Sequence, residues 1–85
     1  MTTAIETSGN KVRVVYSDGL VVTFTAHRAD PVLDVLMVRP DGASRQGYVL
    51  QSGEVRGTVG MHHAWMIAKD EVIAMAERWG AGVGV

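Results

Sequence analysis

The chain has 85 residues, no cysteine and a net charge of −1, which leaves room for one domain and excludes disulfides, thiolate metal sites and a cysteine nucleophile. Apolar residues make up 47% and charged residues 20%, a globular balance, and acids and bases are interspersed throughout, which argues against a polybasic nucleic-acid surface or an acidic DNA mimic. A domain this small buries only ~60–65% of its unfolded surface, so without staples it must pack well or associate.

Met1–Asn10 is polar apart from Ile5 and reads as a flexible lead-in. It has no basic residue ahead of an apolar run, so a signal peptide is not expected. No apolar run approaches the ~20 residues of a membrane helix. The expectation is a cytoplasmic protein with no membrane partner.

Lys11–Tyr16 alternates, with Val12, Val14 and Tyr16 on one side, which predicts a half-buried strand. Ser17-Asp18-Gly19 is a turn signal. Leu20–His27 is the return strand, rich in β-branched residues, with Leu20, Val22, Phe24 and Ala26 sharing a face. The segment 31–38 admits two readings. Asp30 can cap a short helix with Pro31 in its first turn. The valines and the following turn Arg39-Pro40-Asp41-Gly42 favour a strand. Its partner is Gln46–Gln51, and Ser52-Gly53 turns the chain into a further possible strand at Glu54–Val59.

Met61, Trp65, Ala68, Val72, Met75 and Trp79 recur at helical spacing and predict an amphipathic helix over 61–79, with Gly80 at the C-cap and 81–85 as a flexible tail. Both tryptophans fall on its core stripe. The expected fold is α+β: an antiparallel β-meander of four or five strands, with one C-terminal helix packed across one sheet face, in a single small domain over 1–85.

No catalytic residues stand out. The serines lie in turns or in the lead-in, no Gly-x-Ser-x-Gly elbow is present, and Glu71 and Glu77 fall on the polar side of the helix. Gly53, Gly57 and Gly60 do not have phosphate-loop spacing. His62 and His63 are adjacent, so their side chains diverge on a helix or a strand, and no i, i+4 ligand pair exists. A metal site would need His27 brought to them by the fold. The reading is that there is no metal, no cofactor and no enzyme.

The remaining signal is surplus apolar surface. Leu36 and Val38 lie on the face of their strand opposite Leu33, Val35 and Met37, and Val21 lies opposite Val22. Met66 and Ile73 form a second, narrow strip on the helix. One helix covers one side of a sheet, and an uncovered apolar patch usually marks an interface. Leu36, Val38, Met66 and Ile73 are therefore the candidate protein-interface residues. The function expected is a non-enzymatic interaction protein that binds another protein, acting as a homodimer. Small inhibitors, adaptors and phage or mobile-element accessory proteins have this build, by analogy of size alone. The alternative is a small nucleic-acid-binding module that uses a basic stripe of Lys11, Arg13 and Arg56, which requires the first and last of the strands named above to be neighbours.

Overall fold

The computed structural model describes residues 3–80. Its elements are β1 (Thr3–Ser8), β2 (Lys11–Tyr16), β3 (Val21–Thr25), β4 (Leu33–Val38), β5 (Ser44–Val49), β6 (Val55–Arg56) and α1 (Val59–Arg78). Among the described residues these form an α+β fold. All strands belong to one sheet in the order β1-β2-β3-β4-β5-β6, each antiparallel to its neighbour. The sheet is thus a meander of six strands rather than four or five. The extra strand is β1, whose residues the sequence reads as a lead-in. Thr3–Ser8 pairs along its whole length with β2, from Thr3 opposite Tyr16 to Ser8 opposite Lys11. The predicted tail 81–85 lies outside the described residues.

The alternation in β2 and β3 does what it predicts. Val12, Val14, Tyr16, Val22, Phe24 and Ala26 are all buried on the face that meets α1. The turn between these strands is closed by the Gly19 N–H donating to the Tyr16 carbonyl and by the Asp18 carboxylate accepting from the Leu20 N–H. Gly19 has φ of 94°, a left-handed conformation that carries little penalty only without a Cβ. The segment 31–38 is settled as strand β4 from Leu33 onward. Asp30 does not cap a helix: its carboxylate accepts from the Val32 N–H and turns the chain into the strand.

The helix begins at Val59, two residues before the predicted start. Its N-cap is Thr58, whose hydroxyl accepts from the Met61 N–H. This cap is why the predicted strand 54–59 shrinks to Val55–Arg56: Thr58 has already left the sheet to start the helix. At the other end Trp79 is the C-cap and Gly80 follows with φ of 75°, the expected left-handed residue.

Met61, Ala64, Trp65, Ala68, Val72, Met75 and Ala76 form the buried stripe of α1. Trp65 packs at a tilt on Phe24, with ring centroids 6.0 Å apart. Trp79 is only half-buried, with the Arg28 guanidinium 5.7 Å above its ring. Each fully buried large apolar side chain contributes roughly 1.5–3 kcal/mol, so this one layer supplies most of the cohesion.

Helix and sheet approach closely at Met61. Its thioether fills the space that side chains would occupy at Gly47 and Gly57. A Cβ on Gly47 would sit 2.5 Å from the Arg56 carbonyl oxygen and 2.5 Å from Met61 Sδ. The carbonyl belongs to the neighbouring strand and cannot swing away. We expect Gly47→Ala to destabilise the fold by about 1–3 kcal/mol, the usual cost of overpacking. Urea unfolding followed by circular dichroism checks this, and a midpoint unchanged from wild type would contradict it.

Candidate functional site

The strand registers place every second residue on the sheet face that α1 does not cover. At one end of that face Ala4, Val15, Val21, Val38 and Ser44 form a row across five strands. The middle row is Glu6, Arg13, Thr23, Leu36 and Gln46, and the far row is Ser8, Lys11, Thr25, Asp34, Tyr48 and Arg56. The face is therefore graded. Val15, Val21 and Val38 make a half-buried apolar strip, and the far row is polar around one aromatic ring. Leu36 stands between them, 39% exposed, and Tyr48 is 46% exposed.

Beside Leu36 the face is dented by an open groove of about 580 Å³. Thr25, His27, Asp34, Leu36, Gln46 and Tyr48 contribute to its lining, and Val35 and Gly47 lie at it as well. His27 Nε2 and Asp34 Oδ2 are within hydrogen-bond distance at 2.7 Å. Both side chains are at least half exposed, so the contact contributes little to stability, about 0–1 kcal/mol. What it does is fix the His27 ring at the end of the groove. The pair is seven residues apart in sequence and becomes visible only through register: Thr25 opposes Asp34, and His27 lies just beyond it.

The four residues predicted for the interface do not form one surface. Leu36 and Val38 lie together on the helix-free face, adjoined by Val21 and Val15. Met66 and Ile73 sit on α1, on the other side of the sheet. Ile73 is partly buried against the core, so the second helical strip reduces to Met66, which is 79% exposed. Val59 and Ile67, which the sequence reading passed over, are the other exposed large apolar side chains on the helix.

The basic stripe is not assembled either. Lys11 and Arg13 are on β2 and Arg56 is on β6, with three strands between them. Lys11 and Arg56 share a row but are ~19 Å apart at ordinary strand spacing. Arg13 bonds Glu6 at 3.2 Å and Arg56 contacts Glu54 at 3.3 Å, so two of the three cations have acidic neighbours.

The histidines have separate surroundings. His27 engages Asp34 at the Lys11 end of the sheet. His63 lies at the Tyr16 end, with Nδ1 3.0 Å from the Tyr16 hydroxyl and the two rings stacked at 5.9 Å. His62 is exposed. The length of β2, about 17 Å, separates the first two. Among the described residues no three His, Asp or Glu side chains converge on a point where an ion could sit. No helix of the described residues is long and apolar enough to cross a membrane.

No family model matches the chain, and no curated protein or solved structure is significantly similar to it.

The fold perturbs the titration of Tyr16. Burial holds its hydroxyl above the ordinary tyrosine value of 10.0, and the nearby Asp18 carboxylate adds to the effect. The folded chain therefore keeps this proton at a pH where the unfolded chain releases it. The resulting stabilisation is complete below about pH 10 and is lost as the pH rises through the elevated value. Urea midpoints measured from pH 8.5 upward should fall more steeply above pH 10 for wild type than for Tyr16→Phe. Parallel slopes would contradict this assignment.

Proposed function

We propose that this chain is a non-enzymatic interaction protein that binds another protein through the helix-free face of its sheet, in the cytoplasm, as an inhibitor, adaptor or accessory protein. The observation that carries this reading is Leu36. It is a large apolar side chain in the middle of a sheet face, it is exposed, and it borders both an apolar strip and an open groove. Exposed apolar side chains scattered singly need no explanation, but a contiguous strip beside a groove does. The partner that fits is a protein surface with an apolar side chain for the groove, between Leu36 and the Tyr48 ring. Thr25, Gln46 and Asp34 supply hydrogen-bonding groups at its rim. An apolar strip and groove with polar groups beside them support a protein contact.

Two features weigh against catalysis. The His27–Asp34 pair is open to water on a shallow face, and acid–base or electrostatic catalysis draws its strength from an enclosed, preorganised site. No serine or threonine stands in the hydrogen-bonded relation to His27 that an activated nucleophile requires among the described side-chain contacts. The nucleic-acid reading is less well supported, because the basic residues on this face are dispersed and two of them are paired.

The test is affinity capture of partners from the source cells with wild-type, Leu36→Asp and Tyr48→Ala chains, each confirmed as folded by circular dichroism. A charge placed at the centre of a contact costs at least tenfold in affinity, or about 1.4 kcal/mol. We expect one protein to be recovered by wild type and lost with Leu36→Asp. Recovery of the same protein at unchanged yield by both variants would refute the reading.

A further inference from the structure

The two edges of the sheet are unequal. The β6 edge is two residues long and is blunted by the departure of the chain into α1. The β1 edge is six residues long, and Ala4–Ser8 are exposed along it. An open edge strand presents a row of unpaired N–H and C=O groups, and proteins usually guard such a row with lysine, proline, a bulge or a short strand. Thr3-Ala-Ile-Glu-Thr-Ser8 has no lysine, no proline and no bulge in its register with β2, and its one charged side chain, Glu6, is engaged by Arg13 of β2.

The direction of its backbone groups follows from the turn. Ser8 and Lys11 flank a two-residue loop. The pair that closes such a loop turns its N–H and C=O groups toward one another. By the alternation of an antiparallel ladder, Ala4 and Glu6 also turn toward β2, and Thr3, Ile5 and Thr7 turn outward. The outward residues are two threonines and one isoleucine, all β-branched and suited to a strand.

We infer that the β1 edge pairs antiparallel with β1 of a second copy of this chain, joining two sheets into one. This goes beyond the choice of partner for the helix-free face and does not depend on it. A two-fold axis perpendicular to the sheet keeps both helices on the same side, so only residues of one face can oppose one another. With Ile5 on the axis, Ile5 faces its own copy, and Thr3 and Thr7 face the partner's Thr7 and Thr3. Each of these pairs exchanges both N–H···O bonds, because all three residues turn outward. Ala4 then opposes the partner's Glu6, which leaves each Glu6 free to keep its bond to Arg13. Moving the axis to Glu6 sets two like charges face to face, which is destabilising. Moving it to Ala4 leaves fewer residues paired. The register centred on Ile5 is therefore the one the edge specifies. Ile5 is 36% exposed in the single chain, and this pairing covers it.

An edge of this length is a small interface, so the dimer forms reversibly with concentration. Sedimentation equilibrium over a wide concentration range reads it. Wild type should pass from monomer to dimer mass. Thr7→Pro removes an outward donor without touching the ladder to β2, where edge proline is tolerated. It should remain monomeric with an unchanged circular dichroism spectrum. The register has its own test, because the chain has no native cysteine. Ile5→Cys places the two Cα atoms ~5.5 Å apart, within disulfide reach of roughly 4.4–6.8 Å, and should crosslink on mild oxidation. Ser8→Cys, on the same exposed strand, would be about 20 Å from its copy and should not. Monomer mass at every concentration overturns the inference. So does a dimer that survives Thr7→Pro or that is abolished by Leu36→Asp instead. Partner capture by Leu36→Asp reports on the sheet face and the mass of Thr7→Pro on the edge, so the two proposals fail separately.

Discussion

A single helix has to close a sheet of six strands. At 1.5 Å per residue, the 20 residues of α1 span about 30 Å, enough to cross the width of the sheet once. The buried apolar residues of β2, β3 and β4 therefore lie on one face beneath it, and the stripe on the helix includes Ala64, Ala68 and Ala76, which let it settle close. The junction of Met61 with Gly47 and Gly57 is one place where that approach is tight. The same constraint leaves the opposite face without a cover. The chain meets this by making most of that face polar, with Thr23, Thr25, Asp34, Gln46 and Lys11. It retains an apolar strip only from Val15 to Val38, with Leu36 at its border.

The elements with strong periodicity were legible from residues alone. The hairpin of β2 and β3, the strand character of β4 and the helix stripe all follow from spacing, because burial of one face is what the spacing encodes. Strand β1 was not legible for the same reason. It sits at the edge, it buries little, and Ile5 is its only large apolar side chain. Its order comes from pairing with β2, which is a property of its neighbour and not of its own composition. Ile73 is partly buried although it lies off the main stripe, because a helix lying on a sheet is covered over more than its narrow central stripe.

The candidate site was legible in part. Leu36 and Val38 are legible as apolar residues of the helix-free face because a strand that is apolar on both sides signals itself. Their neighbours Val15 and Val21, and the His27–Asp34 contact, depend on register between strands, and register is not written in any one strand. Met66 was grouped with Leu36 by hydrophobicity, although the thickness of the domain separates them. His63, which by spacing has no partner on its own helix, has one on β2 in Tyr16. His62 and His63, though adjacent, have different surroundings: His63 is tied to β2 and His62 is exposed.

The order of elements also bears on how the chain comes to be folded. Every strand pairs with the strand before it, so the sheet can be built by successive hairpins with short loop closures. The lid comes last. During synthesis the sheet leaves the ribosome ahead of residues 59–78, and at 5–20 residues per second its inner face, with Phe24, Leu33 and Val35, is uncovered for a second or more before α1 can dock. In that interval the nascent chain presents a bare apolar sheet and an open edge at once, the combination that chaperones and aggregating neighbours both recognise. The stability of the finished domain and the hazard of making it thus have one origin, the placement of the only cover at the end of the described chain.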